Sequence, residues 1–285
     1  MAEEMPGTAS FKMRWTLDDI RWQSFDPSRV DPRLLEVVKA AALVEANSAD
    51  YVDYLHKIFE HDQTFCEVAS HWGVEEAQHG EALGRWAEMA DPDFNFKDAL
   101  HRFRNAYQLP TDVEESVRGS LAGELIARQV VESGTSSFYS AIRDAADEPV
   151  LKEIAAKIAS DEYFHYRLFN RFFKKYNADG NLSTLRRLQI AVTRVQEAED
   201  DELACAYYAA NIEAKNDGTA FDSRDMALAY WQRVTSLYRR EHIDNATRMI
   251  LRAADLKPHG RLGDFASAVF WRFVVWRRDR LANAA

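Results

Sequence analysis

Two stretches of this 285-residue chain repeat one spacing: Glu76 and His79 in "GVEEAQHGEALGRW", and Glu162 and His165 in "ASDEYFHYRLF". On a helix, a three-residue step puts both side chains on one face, where a carboxylate and an imidazole can share an ion. One such pair means little, because a chain with this much glutamate and histidine produces it by chance and a solvated helix face explains it. Two pairs mean more, because they are the only two in the chain and each falls in the middle of a long helical pattern.

The elements around these residues must deliver them. Gly and Pro fall mostly at breaks, and the segments between are rich in Ala, Leu, Glu, Arg and Lys, which favours helix. Residues 1–32 form an irregular lead-in punctuated by Pro27 and Pro32. The pattern predicts a first helix over about 33–60, closed by "HDQT", and a second over about 64–90, closed by "DPDF". After a short stretch from Leu100 to Tyr107, Pro110 and Asp112 open a third helix that runs to about 146. "DEP" breaks the chain before a fourth helix that ends near 176. Two or three more helices are expected, roughly over 182–214, 222–256 and 262–282. No strand-like alternation occurs, so the expected fold is all-α.

Short turns imply two antiparallel hairpins, joined by a connection of about twenty residues as a four-helix bundle with one crossover. Level residues in a hairpin have numbers that sum to a constant. A turn near 61 or 62 sets Glu45 level with position 78, between Glu76 and His79; a turn near 147 sets Glu132 level with Glu162. Glu36 and Glu124 fall nearly two helical turns away. The candidate ligands are therefore Glu45, Glu76, His79, Glu132, Glu162 and His165. Four inward carboxylates repel one another and are costly to desolvate unless paired. Two divalent cations cancel their charge while the imidazoles stay neutral. Mixed carboxylate and imidazole ligation suits iron or manganese better than calcium or magnesium, and the lack of thiolates disfavours structural zinc.

The set resembles the ferritin-like di-iron carboxylate proteins, whose helix pairs carry E…ExxH twice. "EEAQHGEAL" and "IASDEYFH" are most similar to the paired segments of soluble acyl-carrier-protein desaturases, EExRHG and IAxDExxH. The resemblance covers about residues 33–176, leaving 1–32 as lead-in and 177–285 as a C-terminal helical extension expected to pack on the bundle. It implies two iron ions, with manganese–iron possible, and O2-dependent oxidation of an apolar substrate C–H. It also implies a fatty acyl substrate and an external electron donor such as a ferredoxin. Thr135, one turn after Glu132, matches a threonine that aids proton delivery in desaturase-like enzymes; otherwise it bonds a preceding carbonyl. Gly134 beside it could leave room for oxygen or substrate. The resemblance makes Asp161 a partner of His79, while Glu75 is either a similar partner or a solvent-facing acid. Phe138 and Tyr139 are candidates for an apolar substrate channel, against plain core packing. The alternative function is a rubrerythrin- or ferritin-like peroxide-reducing or iron-handling protein, weakened by the missing CxxC pairs. A helical scaffold with a vestigial site is a third reading.

The net charge of −10 argues against general nucleic-acid binding. Cys66 and Cys205 lie far apart, which excludes a disulfide scaffold or zinc knuckle and suits a reducing cytoplasm. No apolar run approaches a membrane span, and "MAEEMPGTASFKMRW" lacks the apolar core of a secretory signal, so a cytoplasmic protein is expected. A homodimer is a possible assembly. His242 and the other histidines (56, 61, 71, 101 and 259) lack a partner at helical spacing and read as structural or surface residues. The closing segment "FASAVFWRFVVWRRDRL" reads as a packed helix with snorkelling arginines, with docking on lipid or a partner as the other possibility.

Overall fold

The computed structural model describes residues 12–109, 113, 115–197, 201–213 and 218–282. Among the described residues there are eleven α-helices, three short 3-10 turns between Leu17 and Arg29, and no strand, so the fold is all-α. The helices are α1 (Pro32–Ala46), α2 (Ser48–Ile58), α3 (Gln63–Ala90), α4 (Phe96–Ala106), α5 (Leu121–Ala145) and α6 (Pro149–Tyr176). They continue with α7 (Thr184–Gln196), α8 (Asp201–Asn211), α9 (Ser223–Leu237), α10 (Arg240–Ala253) and α11 (Arg261–Ala282).

Capping residues set most starts. Asp31, Asp62, Ser120 and Glu148 each accept a hydrogen bond from a backbone N–H in the first turn of α1, α3, α5 and α6. Pro32 and Pro149 occupy the first helical position, where a missing N–H costs nothing. Two caps also tie helices together. Glu148 accepts from the Trp86 indole at 2.7 Å, joining the start of α6 to α3. Asp62 accepts from the Tyr176 hydroxyl at 2.7 Å, joining the start of α3 to the end of α6.

Four expectations need correction. The helix predicted over 33–60 is two helices, because Arg104 of α4 donates to the Ala46 carbonyl at 2.7 Å and to the Asn47 side chain at 3.2 Å. That carbonyl is taken by a side chain from elsewhere, and the chain re-aims at Asn47. The stretch from Leu100 to Tyr107 is largely helix, since Asn95 caps α4 through the Asp98 N–H. The third long helix starts at Leu121 rather than near 112, after an irregular passage through Gly119 at φ 79°. Pro110 and Asp112 lie outside the described residues. Five helices, not two or three, follow α6.

Two apolar clusters occupy different levels of the long helices. One gathers Leu83 and Trp86 of α3, Ile142 of α5 and Ile158 of α6, with α1, α8 and α9. The other gathers Phe65 and Trp72 of α3, Leu125 and Ile126 of α5, and Phe169 of α6. Between them α3, α5 and α6 pass through a polar level at residues 75–79, 132–135 and 161–165. Gly80 sits at this level, where a Cβ would stand 2.5 Å from the Ala46 backbone nitrogen. Only glycine lets α1 come this close to α3, and that approach carries Glu45 to the polar level.

Candidate metal centre

The structure brings all six candidate ligands together, in two overlapping groups. Glu45, Glu76, His79 and Glu162 form one, and Glu76, Glu132, Glu162 and His165 the other; in each, one donor atom per residue lies within 4.8 Å of all the rest. Glu76 and Glu162 belong to both groups, as carboxylates shared by two ions would. His79 Nδ1 stands 3.3 Å from Glu162, 3.4 Å from Glu76 and 3.6 Å from Glu45. His165 Nδ1 stands 3.0 Å from Glu76, 3.7 Å from Glu132 and 3.9 Å from Glu162. Five of the six residues are buried, and Glu45 keeps 9% of its side chain accessible.

The outer nitrogens fix both rings. Asp161 lies 3.0 Å from His79 Nε2, and Glu75 lies 2.9 Å from His165 Nε2. A carboxylate at Nε2 holds the proton there and turns the Nδ1 lone pair inward. Glu75 is thus no solvent-facing acid; it is 4% exposed and mirrors Asp161. Arg14 bridges the two acids, donating from Nε to Asp161 at 2.7 Å and approaching Glu75 to 3.2 Å through Nη2. Trp15 donates to Asp161 at 2.6 Å and stacks on His79 with ring centroids 5.9 Å apart.

Neither Arg14 nor Trp15 was legible as a site residue, because the lead-in carries no periodicity to place it. Thr135 donates to Glu162 at 2.7 Å, with the Val131 and Glu132 carbonyls farther off at 3.2 and 3.3 Å, so its nearest acceptor is a carboxylate common to both groups. Tyr139 is 1% exposed and its hydroxyl donates to Glu45, so it braces one of the candidate ligands. Phe138 packs edge-on against Tyr139.

The six groups shift one another's protonation. Burial opposes charge on His79, yet the surrounding carboxylates of Asp161, Glu162, Glu45 and Glu76 raise it well above the ordinary imidazole range. At His165 burial is likewise outweighed, chiefly by the Glu76 charge and then by Glu132, Glu162 and Glu75. Burial, reinforced by Glu76, pushes Glu45 up; burial and Glu162 push Glu132 up. Burial also opposes ionisation of the two shared carboxylates, but the imidazoles hold both below the usual carboxylate range.

The donor set fits a cation. Nδ1 of both histidines and Oε1 of Glu162 are buried with no hydrogen-bond partner, and all three face the centre. Buried polar atoms are rarely left so. A third acid–histidine cluster, Asp144, Glu241 and His242, offers no such donor. There His242 Nδ1 accepts the Arg239 N–H at 3.0 Å while Nε2 bonds Asp144 at 2.9 Å, so both nitrogens are spent on structure. The buried groups at the polar level could therefore hold metal. Comparison of the chain with protein-family models and with curated proteins gave no match.

Proposed function

We propose that the chain is a non-haem di-iron oxidase or oxygenase of ferritin-like architecture that uses O2 to oxidise an apolar substrate C–H. The observation that carries this reading is the pair of overlapping ligand groups sharing Glu76 and Glu162, with an unpartnered inward Nδ1 in each. Two ions with four carboxylates and two neutral imidazoles balance in charge, which a single ion would not. A bound iron pair supplies the oxygen-activating redox chemistry that no side chain offers.

The chain's own residues do the rest. Glu45, Glu76, His79, Glu132, Glu162 and His165 hold the ions, and Asp161 and Glu75 keep the rings aimed. Thr135 keeps its proton on Glu162 Oε2, where the hydroxyl can hand it inward. Thr135 is partly accessible, and beside it nothing lies within 4 Å of where a Gly134 Cβ would stand. Tyr139 restrains Glu45, the ligand with most access to solvent. The two apolar clusters above and below the polar level exclude bulk water. Resemblance suggests a fatty acyl substrate and an external electron donor such as a ferredoxin.

The test is O2 consumption by the reduced, iron-loaded protein. An increase on adding a fatty acyl substrate, with an oxidised organic product, is expected. Peroxide turnover at full rate with no organic substrate would replace this reading with a peroxide-reducing one.

A further inference from the structure

The last helix carries an exposed apolar stripe that the metal centre does not use. Leu262, Phe265, Val269, Phe273 and Trp276 are each between 46% and 68% exposed. Their steps of three, four, four and three residues keep them on one face of α11. They form a ridge about 20 Å long at 1.5 Å per residue. The opposite face is the packed one. Gly263 and Ser267 are buried, the Arg277 guanidinium covers the Trp231 ring of α9 at 4.9 Å, and Asp264 pairs with Arg248 of α10 at 3.2 Å. Five large apolar side chains in one exposed row mark a contact surface rather than scattered surface residues.

Charge identifies what it contacts. From residue 239 to 282 ten Arg and Lys stand against five Asp and Glu, a surplus of five positive charges. The whole chain carries −10, so the remainder carries −15. Basic and acidic character are thus segregated, and the basic end is the one with the ridge. Arg261 and Arg272 are exposed beside the ridge, and Arg280 lies over the Trp276 ring at 5.5 Å. A second copy is a poor occupant, because pairing ridge to ridge would bring two positive faces together. An anionic lipid surface fits: it attracts this end, repels the rest, and takes a linear ridge without a matching pocket. No helix among the described residues is long and apolar enough to cross a membrane, so the contact would lie on the surface.

We propose that α11 docks the protein on an anionic bilayer, with its apolar ridge in the interfacial layer and its arginines at the headgroups. This stands independently of the metal centre. The probe is co-sedimentation of the full chain with vesicles of phosphatidylcholine, with and without phosphatidylglycerol. Binding is expected only with the anionic lipid, falling steeply in about 0.5 M salt because exposed charges are then screened. The double variant Phe265→Asp, Phe273→Asp should lose at least about tenfold in partitioning. Arg272→Glu should lose less. Unchanged helical circular dichroism and metal content confirm that the variants fold. No binding to anionic vesicles, equal binding to neutral ones, or an unaffected double variant would overturn the proposal. So would a wild-type dimer that the double variant converts to monomer, which would make the ridge a chain–chain interface.

Discussion

Two sites among the described residues combine buried histidine with carboxylates, and they behave in opposite ways. At His242 both ring nitrogens are occupied, by the Arg239 N–H and by Asp144, so the cluster is finished as it stands. At His79 and His165 only the outer nitrogen is occupied, and each inner one faces three carboxylates without a hydrogen bond. Composition does not separate the two. What separates them is whether the hydrogen-bond network closes. A closed network is a structural brace; an open one, ringed by acids, could hold a cation.

The sharpest way to break this contrast is at a shared ligand. Glu162→Ala should remove metal from both positions, read as loss of essentially all bound iron by elemental analysis, while Asp144→Ala should leave iron content unchanged. Glu132→Ala or Glu45→Ala reaches only one group, so each should halve the iron. Unchanged stoichiometry in both would break the ligand assignment.

Next come the residues that aim the rings. Asp161→Asn keeps the shape but weakens the hold on His79 Nε2, and metal affinity should fall about 10–100-fold in a competition titration with a chelator. The contrasting change, His242→Ala, should cost about 1–3 kcal/mol in denaturant unfolding by leaving the Arg239 N–H without its acceptor and Asp144 with Arg143 alone, with metal affinity unchanged.

The smallest expected effects are in pH. Hydrogen bonding to Arg143, reinforced by His242, holds the Asp144 carboxyl well below the usual carboxylate range. A depressed folded-state value stabilises above the unfolded one, so this contribution is present above about pH 4 and fades as pH falls through the lowered value. Asp144→Asn should flatten that part of the acid unfolding curve. At the candidate metal centre the sign runs through protons instead. Glu45, Glu132, His79 and His165 are all raised, so ions entering the site displace protons. Metal affinity should therefore climb as pH rises and keep climbing above the ordinary imidazole range, with proton release visible by calorimetry in buffers of different ionisation enthalpy.

How much of this was legible in the sequence depended on whether the signal was local. Glu-x-x-His is a local helical spacing, and a hairpin with a short turn turns it into a cross-helix level, so Glu45 and Glu132 could be paired with their motifs from numbering alone. That arithmetic survived the break at Asn47, because the level is set nearby by the close approach of α1 to Gly80. The break itself was not readable, since Arg104 arrives from another helix. Arg14 and Trp15 had no signal either; an irregular segment can lead anywhere until its partners are known, and here they are Asp161 and Glu75. Tyr139 in sequence is first a core aromatic and second a candidate channel wall; its hydroxyl bond to Glu45 is a contact that no local pattern could show. The closing helix was read as packed, which holds for one face; the exposed ridge on the other depends on how α9 and α10 sit beneath it.

The most direct test of the central claim is metal analysis of the aerobically purified protein, with Mössbauer spectroscopy of a sample loaded with iron-57. Two irons per chain are expected, magnetically coupled because Glu76 and Glu162 are common to both groups. A single ion per chain, or two uncoupled ions, would contradict that claim.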